Sequence, residues 1–147
     1  MLPCRRVLAT TFSGALFGVE SVPVRVEVDL ARGLPCFHIV GLAETAVRES
    51  RERVRAALKN CGYEMTPGRV TVNLAPADLR KSGGGYDLAI AVAVLSANGV
   101  VPAEAIADVC FVGELSLDAT LRPVRGTLAH ALAAPGAQLL TPVTPQV

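Results

Sequence analysis

Apolar and polar side chains alternate strictly over residues 22–30, where valines and a leucine occupy every second position. This period of two is typical of a β-strand with one buried face. Similar but shorter patterns predict strands at residues 7–12, 36–40 and 69–75, with a turn at residues 13–18. We expect the first three of these four strands to form an antiparallel meander.

The period changes to that of a helix over residues 41–62. Four apolar positions lie seven, four and three residues apart and form one helical stripe: Val47, Val54, Leu58 and Cys61. Two acid–base pairs at i,i+4 support this helix: Glu44/Arg48 and Glu49/Arg53. Residues 87–98 are apolar on nearly every side, which predicts a second helix buried in the core.

Weaker patterns cover the remaining chain. Residues 102–107 suggest a short turn or helix, and residues 109–117 and 121–124 suggest the two strands of a hairpin. A last helix is expected at residues 126–134, and the tail after it has no clear pattern.

Composition indicates one globular domain with an aliphatic core, since 51% of the residues are hydrophobic and aromatic residues are scarce. The net charge of +1 gives no general attraction to DNA or to a membrane, although a local basic face could still bind DNA. Without a signal peptide or a long apolar span, the expected location is the cytoplasm. The four cysteines are far apart in sequence, which predicts scattered buried thiols and no metal site: Cys4, Cys36, Cys61 and Cys110.

A glycine-rich segment between the strand at 69–75 and the buried helix is the strongest candidate for a binding site. Backbone N–H groups of three consecutive glycines and a helix N-terminus could bind an anion or a nucleotide. The candidate ligands are Lys81, Ser82, Gly83, Gly84, Gly85 and Asp87. The alternative is a tight turn with Asp87 as a cap or first-turn acid. A Walker A motif is excluded because the lysine precedes the glycines.

A second candidate is the basic side of the helix at residues 41–62, which could bind nucleic acid through Arg48, Arg51, Arg55 and Lys59. The alternative is a solvated helix face, because glutamates between these cations nearly cancel their charge.

Several separate blocks of the chain resemble the N-terminal domain of the ComM/YifB, or Mg-chelatase-like, family of AAA+ ATPases. The blocks are residues 33–35 (GLP), 39–45 (IVGLAET), 49–55 (ESRERVR), 73–78 (NLAPAD), 84–88 (GGYDL) and 111–117 (FVGELSL). The match runs from about residue 7 to residue 134, within a single domain that spans residues 1–147.

The resemblance implies an α+β fold like domain 2 of ribosomal protein S5 and the Lon protease domain, with a mixed β-sheet packed by two main helices. It also implies a parent protein: a hexameric AAA+ ATPase that uses ATP and Mg²⁺ and that, in ComM, drives branch migration of DNA during natural transformation. The expected partners are therefore the ATPase module, copies of the same chain and, through the parent, DNA. The chain has no Walker sequence, so the ATPase module is absent from these 147 residues.

Protease chemistry is not expected, although the Lon-like resemblance raises the question. The resemblance aligns the serine nucleophile with Gly85 and the catalytic lysine with Leu128, and no lysine follows Lys81. Arg125 is too basic to accept a proton, His130 lies one or two positions away, and an adjacent pair such as Lys81 and Ser82 rarely reacts together.

We therefore predict no catalytic residues and a non-catalytic assembly or coupling domain of the parent ATPase. The alternatives are a nucleic-acid-binding module and an anion- or nucleotide-binding domain that uses the glycine-rich segment.

Overall fold

The computed structural model describes residues 7–65, 67–133 and 138–142. A six-stranded mixed sheet forms its frame, with the strand order β3-β4-β2-β1-β5-β8. The strands of this sheet are β1 (Val7–Phe17), β2 (Glu20–Ala31), β3 (Cys36–Val40), β4 (Arg69–Ala75), β5 (Val109–Phe111) and β8 (Gln138–Leu140). A separate two-stranded sheet pairs β6 (Glu114–Leu115) with β7 (Leu121–Arg122).

Within the described residues, five helices accompany the strands: α1 (Thr45–Arg48), α2 (Ser50–Asn60), α3 (Asp87–Ala97), α4 (Ala103–Ile106) and α5 (Thr127–Ala133). The two longest, α2 and α3, have eleven residues each. The chain is thus a mixed α/β domain with a mixed sheet, in agreement with the expected α+β class. None of the helices in the described ranges is long and apolar enough to cross a membrane.

The alternation over residues 22–30 puts one face of β2 into the core. Val24, Val26 and Val28 are fully buried, and they lie between strands β1 and β4, both of which pair with β2 in antiparallel fashion. The same face of β1 contacts α3, since Thr11 donates a 2.8 Å hydrogen bond to the carbonyl of Ala89. Helix α3 is buried along nearly its whole length, as its apolar sequence predicts.

The predicted meander is wrong at its third strand. Strand β3 pairs in parallel with β4, not with β2, and it forms one edge of the sheet. The connection from β3 to β4 contains α1 and α2, and a crossover of this length can return the chain for parallel pairing, which a short hairpin cannot.

The predicted turn at residues 13–18 is also misplaced. Strand β1 continues to Phe17, because Ser13 and Ala15 keep the inward alternation and pair with the start of β2. The turn is formed by Gly18 and Val19, and Gly18 adopts a positive φ of 63°.

The helix predicted for residues 41–62 is shorter at both ends and is divided at Glu49 into α1 and α2. Val47, Val54 and Leu58 of the predicted stripe are buried, whereas Cys61 is exposed. Cys61 lies at the C-terminal cap of α2, beyond the point where the helix covers the sheet. The prediction of buried thiols is therefore confirmed for Cys110, fails for Cys61 and holds only in part for the half-buried Cys36, while Cys4 lies outside the described residues.

The strands in the C-terminal part of the chain pair differently from the prediction. The predicted hairpin is divided, since β5 joins the main sheet beside β1 while β6 and β7 form the hairpin. Helix α5 occupies the predicted position up to Ala133, and residue 134 lies outside the described residues. Strand β8 has no counterpart in the sequence prediction and pairs in parallel with β5.

Candidate functional site

The glycine-rich segment between β4 and α3 is attached by its backbone to the segment that follows β3. Lys81 and Ala43 form a parallel bridge, in which Lys81 N–H donates to the carbonyl of Leu42 at 3.1 Å. Glu44 N–H donates to the carbonyl of Lys81 at 3.0 Å. The two loops therefore make a separate parallel contact beyond the ends of β3 and β4, in a different register from the strands themselves.

The side chain of Lys81 is fully buried, which is unusual for an ammonium group. Its Nζ donates hydrogen bonds to the carbonyl of Gly41, at 2.6 Å, and to the carbonyl of Pro76. Burial lowers the pKa of this amine, and the charge of Asp78 opposes that shift to a smaller extent. Lys81 thus serves as an internal crosslink between the two loops.

Gly41 provides the close contact on which this crosslink depends. Its φ is 108°, and a Cβ atom built on it would lie 2.2 Å from the carbonyl oxygen of Leu74. A side chain at residue 41 would therefore push the loop away from β4 and would move the carbonyl that Lys81 binds.

Asp87 is the first residue of α3, as the turn alternative predicts, and its carboxylate is fully buried. It accepts hydrogen bonds from Ser50 Oγ at 2.5 Å, from Arg53 Nε at 2.6 Å and from the backbone N–H of Leu115 at 3.0 Å. The hydrogen bond to Asp87 is the main cause that raises the pKa of Arg53. Asp87 therefore connects α2, α3 and β6.

The sequence does not reveal the roles of Ser50 and Arg53 in this cluster. The sequence predicts an i,i+4 pair between Arg53 and Glu49, and that pair is present at 3.9 Å. The other predicted pair is not among the ion pairs of the described residues, where Glu44 instead lies 3.5 Å from Arg80. Arg53 and Asp87 are separated by 34 positions in the sequence, so no local pattern indicates their contact.

The glycines line a cleft of about 350 Å³ together with residues from the C-terminal part of the chain. Of the six predicted anion ligands, four lie along this cleft: Ser82, Gly83, Gly84 and Gly85. Lys81 and Asp87 do not line it, because their charged groups bind inside the fold. The structure thus separates the predicted positive charge from the glycines.

Glu114 faces the middle of the glycine run. A Cβ atom on Gly84 would lie 3.0 Å from the Oε2 atom of Glu114, so this carboxylate packs directly against the backbone. Arg125 lines the same cleft and is exposed. An anion here would meet one negative and one positive side chain, and neither of these two residues is among the ligands that the sequence predicts.

The two positions that the protease resemblance aligns with the catalytic pair carry no reactive group. Gly85 faces the side chain of Val124, whose nearest carbon would lie 3.5 Å from an added Cβ atom. Leu128 lies on the outer side of α5 and is 74% exposed.

His130, which lies close to the position aligned with the catalytic lysine, is a buried polar residue whose partner the sequence does not predict. Its Nδ1 atom lies 2.6 Å from the hydroxyl of Ser21, and burial lowers the pKa of its imidazole. The pair connects α5 to β2 above Gly14, where an added Cβ atom would lie 2.5 Å from both polar atoms. The partners are 109 residues apart, so no sequence pattern could have indicated this contact.

The predicted basic face is present as an exposed stripe. All four of its cations are exposed and lie three or four residues apart on α1 and α2: Arg48, Arg51, Arg55 and Lys59. Arg51 pairs with Glu52 at 3.6 Å, and the guanidinium of Arg55 lies 5.8 Å from the ring centre of Phe37. We call these four residues the basic stripe.

Comparison with known proteins relates the chain to a defined family. The family model for subunit ChlI of Mg-chelatase matches residues 26–147. An uncharacterized protein of Mycobacterium tuberculosis is 48% identical over 127 residues, which cover 86% of this chain and 25% of the relative.

Two further relatives give the family its usual names. YifB of Escherichia coli, an uncharacterized protein, is 46% identical over 124 residues, or 84% of this chain and 24% of YifB. The competence protein ComM of Haemophilus influenzae is 45% identical over 127 residues, or 86% of this chain and 25% of ComM.

The chain thus spans about a quarter of the length of these relatives. The region that the family model matches contains the glycine-rich segment, both loops that Lys81 joins and the Arg53–Asp87 pair. The chain belongs to the ComM/YifB family of Mg-chelatase-like proteins.

Proposed function

We propose that this chain is a non-catalytic domain that supports assembly and coupling in a ComM/YifB-type AAA+ ATPase. Membership in the family supports an ATPase parent, and we propose that this parent uses ATP and Mg²⁺. The relatives are about four times as long, which leaves room for such a module beside this domain.

One observation carries the non-catalytic part of the proposal: the charged residues of the glycine-rich segment are used to hold the fold together. Lys81 donates to two carbonyls, and Asp87 accepts hydrogen bonds from Ser50, Arg53 and Leu115. A nucleophile or base must reach a substrate. Both of these side chains are fully buried and bonded to other parts of the same domain.

The parent is proposed to act on DNA, as a branch-migration motor or helicase. The relative ComM of Haemophilus influenzae is a competence protein, and this supports the proposal. For the present domain we propose an indirect part: it positions subunits or transmits motion, while the ATPase module performs the work. The cytoplasm is the location that fits such a role.

The non-catalytic claim is tested with a ComM/YifB protein that carries this domain. Hydrolysis of fluorescently labelled casein, with and without ATP, is expected to stay at background. Ser82→Ala should leave ATP turnover and DNA unwinding unchanged, because Ser82 is exposed and no catalytic role is assigned to it. If the natural protein hydrolysed casein and Ser82→Ala abolished this hydrolysis, the proposal would be refuted and a peptidase established.

The basic stripe supports a second candidate function, a nucleic-acid-binding module. Its four exposed cations follow one another at intervals of three or four residues along α1 and α2, so phosphates of a duplex could contact several of them at once. DNA affinity is measured as a function of salt for the chain and for the Arg48→Glu/Arg51→Glu variant. Arg122→Glu, exposed on β7, is the matched control.

This second function predicts at least about tenfold weaker binding for the double variant and a shallower salt dependence. Equal affinities for the double variant and the control would eliminate the stripe as a nucleic-acid surface.

The anion- or nucleotide-binding alternative stays a prediction. Its remaining ligands are the backbone of Gly83 to Gly85 and the exposed Arg125, with Glu114 opposing them. Millimolar phosphate or ATP should raise the melting temperature if the site binds, because ligand binding stabilises the folded state by RT ln(1 + [L]/Kd). An unchanged melting temperature would remove this alternative.

A further inference from the structure

A second cleft, of about 490 Å³, lies away from the glycine-rich segment, between the C-terminal half of α2 and the start of β3. We call it the α2–β3 groove. Its inner wall is formed by Phe37 and Val70, which belong to the buried core. Its outer wall includes Met65, with Pro35 and Pro67 beside it. The groove is therefore an apolar slot open to solvent, of the kind that receives one or two aliphatic side chains.

Two cations lie at the groove one helical turn apart. Arg55 and Lys59 both line it and both are exposed. Neither belongs to the ion pairs formed within the described ranges. The guanidinium of Arg55 is held over the ring of Phe37 at 5.8 Å, which fixes one charge at the groove. Glu64 is the acidic residue among the lining residues, so the formal charge of the groove is positive.

The backbone of β3 supplies a third element of recognition. This strand is the terminal strand of the sheet and pairs with β4 on one side. In the described part of the chain no strand pairs with its other side. An extended peptide beside it could therefore form main-chain hydrogen bonds, as in β-strand addition.

We propose that the α2–β3 groove binds a short extended segment of a partner protein, in which an aliphatic side chain is flanked by carboxylates. The aliphatic side chain enters the apolar slot, and the carboxylates contact Arg55 and Lys59. This inference is independent of the assembly role proposed above.

The lining favours such a peptide over a nucleic acid. Base recognition on this scale uses aromatic faces for stacking. Phe37 is only 4% exposed, and its ring already lies beneath Arg55. Tyr63 is the other aromatic residue of the lining and is half-buried, so the groove offers a base at most one ring, whereas the methionine, proline and valine side chains of the lining complement aliphatic groups.

The proposal is tested by fluorescence anisotropy with the whole chain and the probe fluorescein-Gly-Ser-Glu-Leu-Asp-Glu. We expect saturable binding with a Kd below about 1 mM. A control probe with Gln and Asn in place of the acids, and another with Ser in place of Leu, should each bind at least about tenfold more weakly.

Variants of the chain locate the binding. The double variant Arg55→Met/Lys59→Met removes both charges while keeping apolar packing on Phe37. It should bind the acidic probe at least about tenfold more weakly. Met65→Asp places a negative charge in the outer wall and should have a similar effect. Arg51→Met is the matched control, because Arg51 belongs to the basic stripe but does not line the groove. Melting temperatures confirm that each variant folds.

A footprint on the unaltered protein gives a second measurement that needs no substitution. Cys36 lines the groove, whereas Cys61 is exposed and does not line it. Saturating acidic probe should slow alkylation of Cys36 by iodoacetamide, read by peptide mass spectrometry, and leave Cys61 unchanged. Absence of saturable binding, equal protection of both cysteines, or equal affinity for the neutral probe would overturn the proposal. Preferential displacement of the probe by oligothymidine would overturn it in favour of a nucleic-acid site.

Discussion

The Nε atom of Arg53 donates a 2.6 Å hydrogen bond to the carboxylate of Asp87, and this ion pair connects α2 to α3. The carboxylate is fully buried, while the arginine side chain keeps 20% of its surface exposed. Asp87 also accepts from Ser50 and from the backbone of Leu115, so one carboxylate joins three elements of the fold.

Removing this carboxylate should destabilise the domain strongly. Asp87→Asn is expected to lower the free energy of unfolding by about 3 kcal/mol, because it leaves a partly buried arginine without its counter-charge. Urea unfolding followed by circular dichroism measures the difference. Arg51→Ala is the control and should change stability by less than about 0.5 kcal/mol, since Arg51 is exposed. Equal stabilities of Asp87→Asn and the natural chain would contradict the structural role of Asp87.

The two lysines of the chain offer a matched comparison. Lys81→Met leaves the carbonyls of Gly41 and Pro76 without their donor and should cost about 2 kcal/mol of unfolding free energy. Lys59→Met, on the exposed side of α2, should cost less than about 0.5 kcal/mol. Chemical denaturation of both variants checks the difference. If the two substitutions had equal effects, the crosslink assigned to Lys81 would be wrong.

Two glycines should respond very differently to alanine. Gly41→Ala places a Cβ atom 2.2 Å from a backbone oxygen at a φ of 108°, so we expect a loss of at least about 3 kcal/mol. Gly83→Ala also has a positive φ, of 79°, but its Cβ atom would meet nothing within 4 Å. Its cost should be about 1 kcal/mol. Thermal melts of the two variants test this order, and a reversed order would contradict the close contact at Gly41.

The buried His130 should make the stability of the domain depend on pH. Burial lowers the pKa of the folded imidazole below its ordinary value of 6.5, so the unfolded chain takes up the proton first as the pH falls. Stability should therefore be fully present above pH 6.5 and decrease as the pH falls below it toward the folded pKa.

Urea unfolding at pH 7.5 and at lower pH, with a matched pair of histidine variants, isolates this effect. His130→Gln should reduce the pH slope, while His38→Gln, on the exposed side of β3, should keep it. An unchanged slope in His130→Gln would show that another group is responsible.

The pattern of apolar residues along the chain predicts those helices and strands whose buried side chains follow a simple pattern in the sequence. Alternation predicts the bounds of β3 and β4, because these strands bury every second side chain. The continuous apolar run predicts α3, because this helix is buried on nearly every side. Strand β8 has three residues and no such period, so only its pairing with β5 defines it. The parallel position of β3 depends on the crossover and could not be derived from the strand itself.

The candidate site was predicted less well than the fold. Lys81 and Asp87 were identified as residues of special importance, but as ligands rather than as internal contacts. The local sequence of a charged residue beside glycines is the same whether its side chain faces a cleft or the core. Arg53, which binds Asp87, lies 34 positions from it in the sequence, and Gly41, which binds Lys81, lies 40 positions from that lysine.

Sedimentation velocity of a ComM/YifB protein tests the central claim most directly, by comparing the complete protein with a variant that lacks this domain. At equal concentration, with ATP and Mg²⁺, the complete protein should sediment as a ring-sized oligomer. The variant should shift toward smaller species and lose DNA-stimulated ATP turnover in the same samples. An unchanged oligomer with unchanged turnover would contradict an assembly or coupling role for the domain.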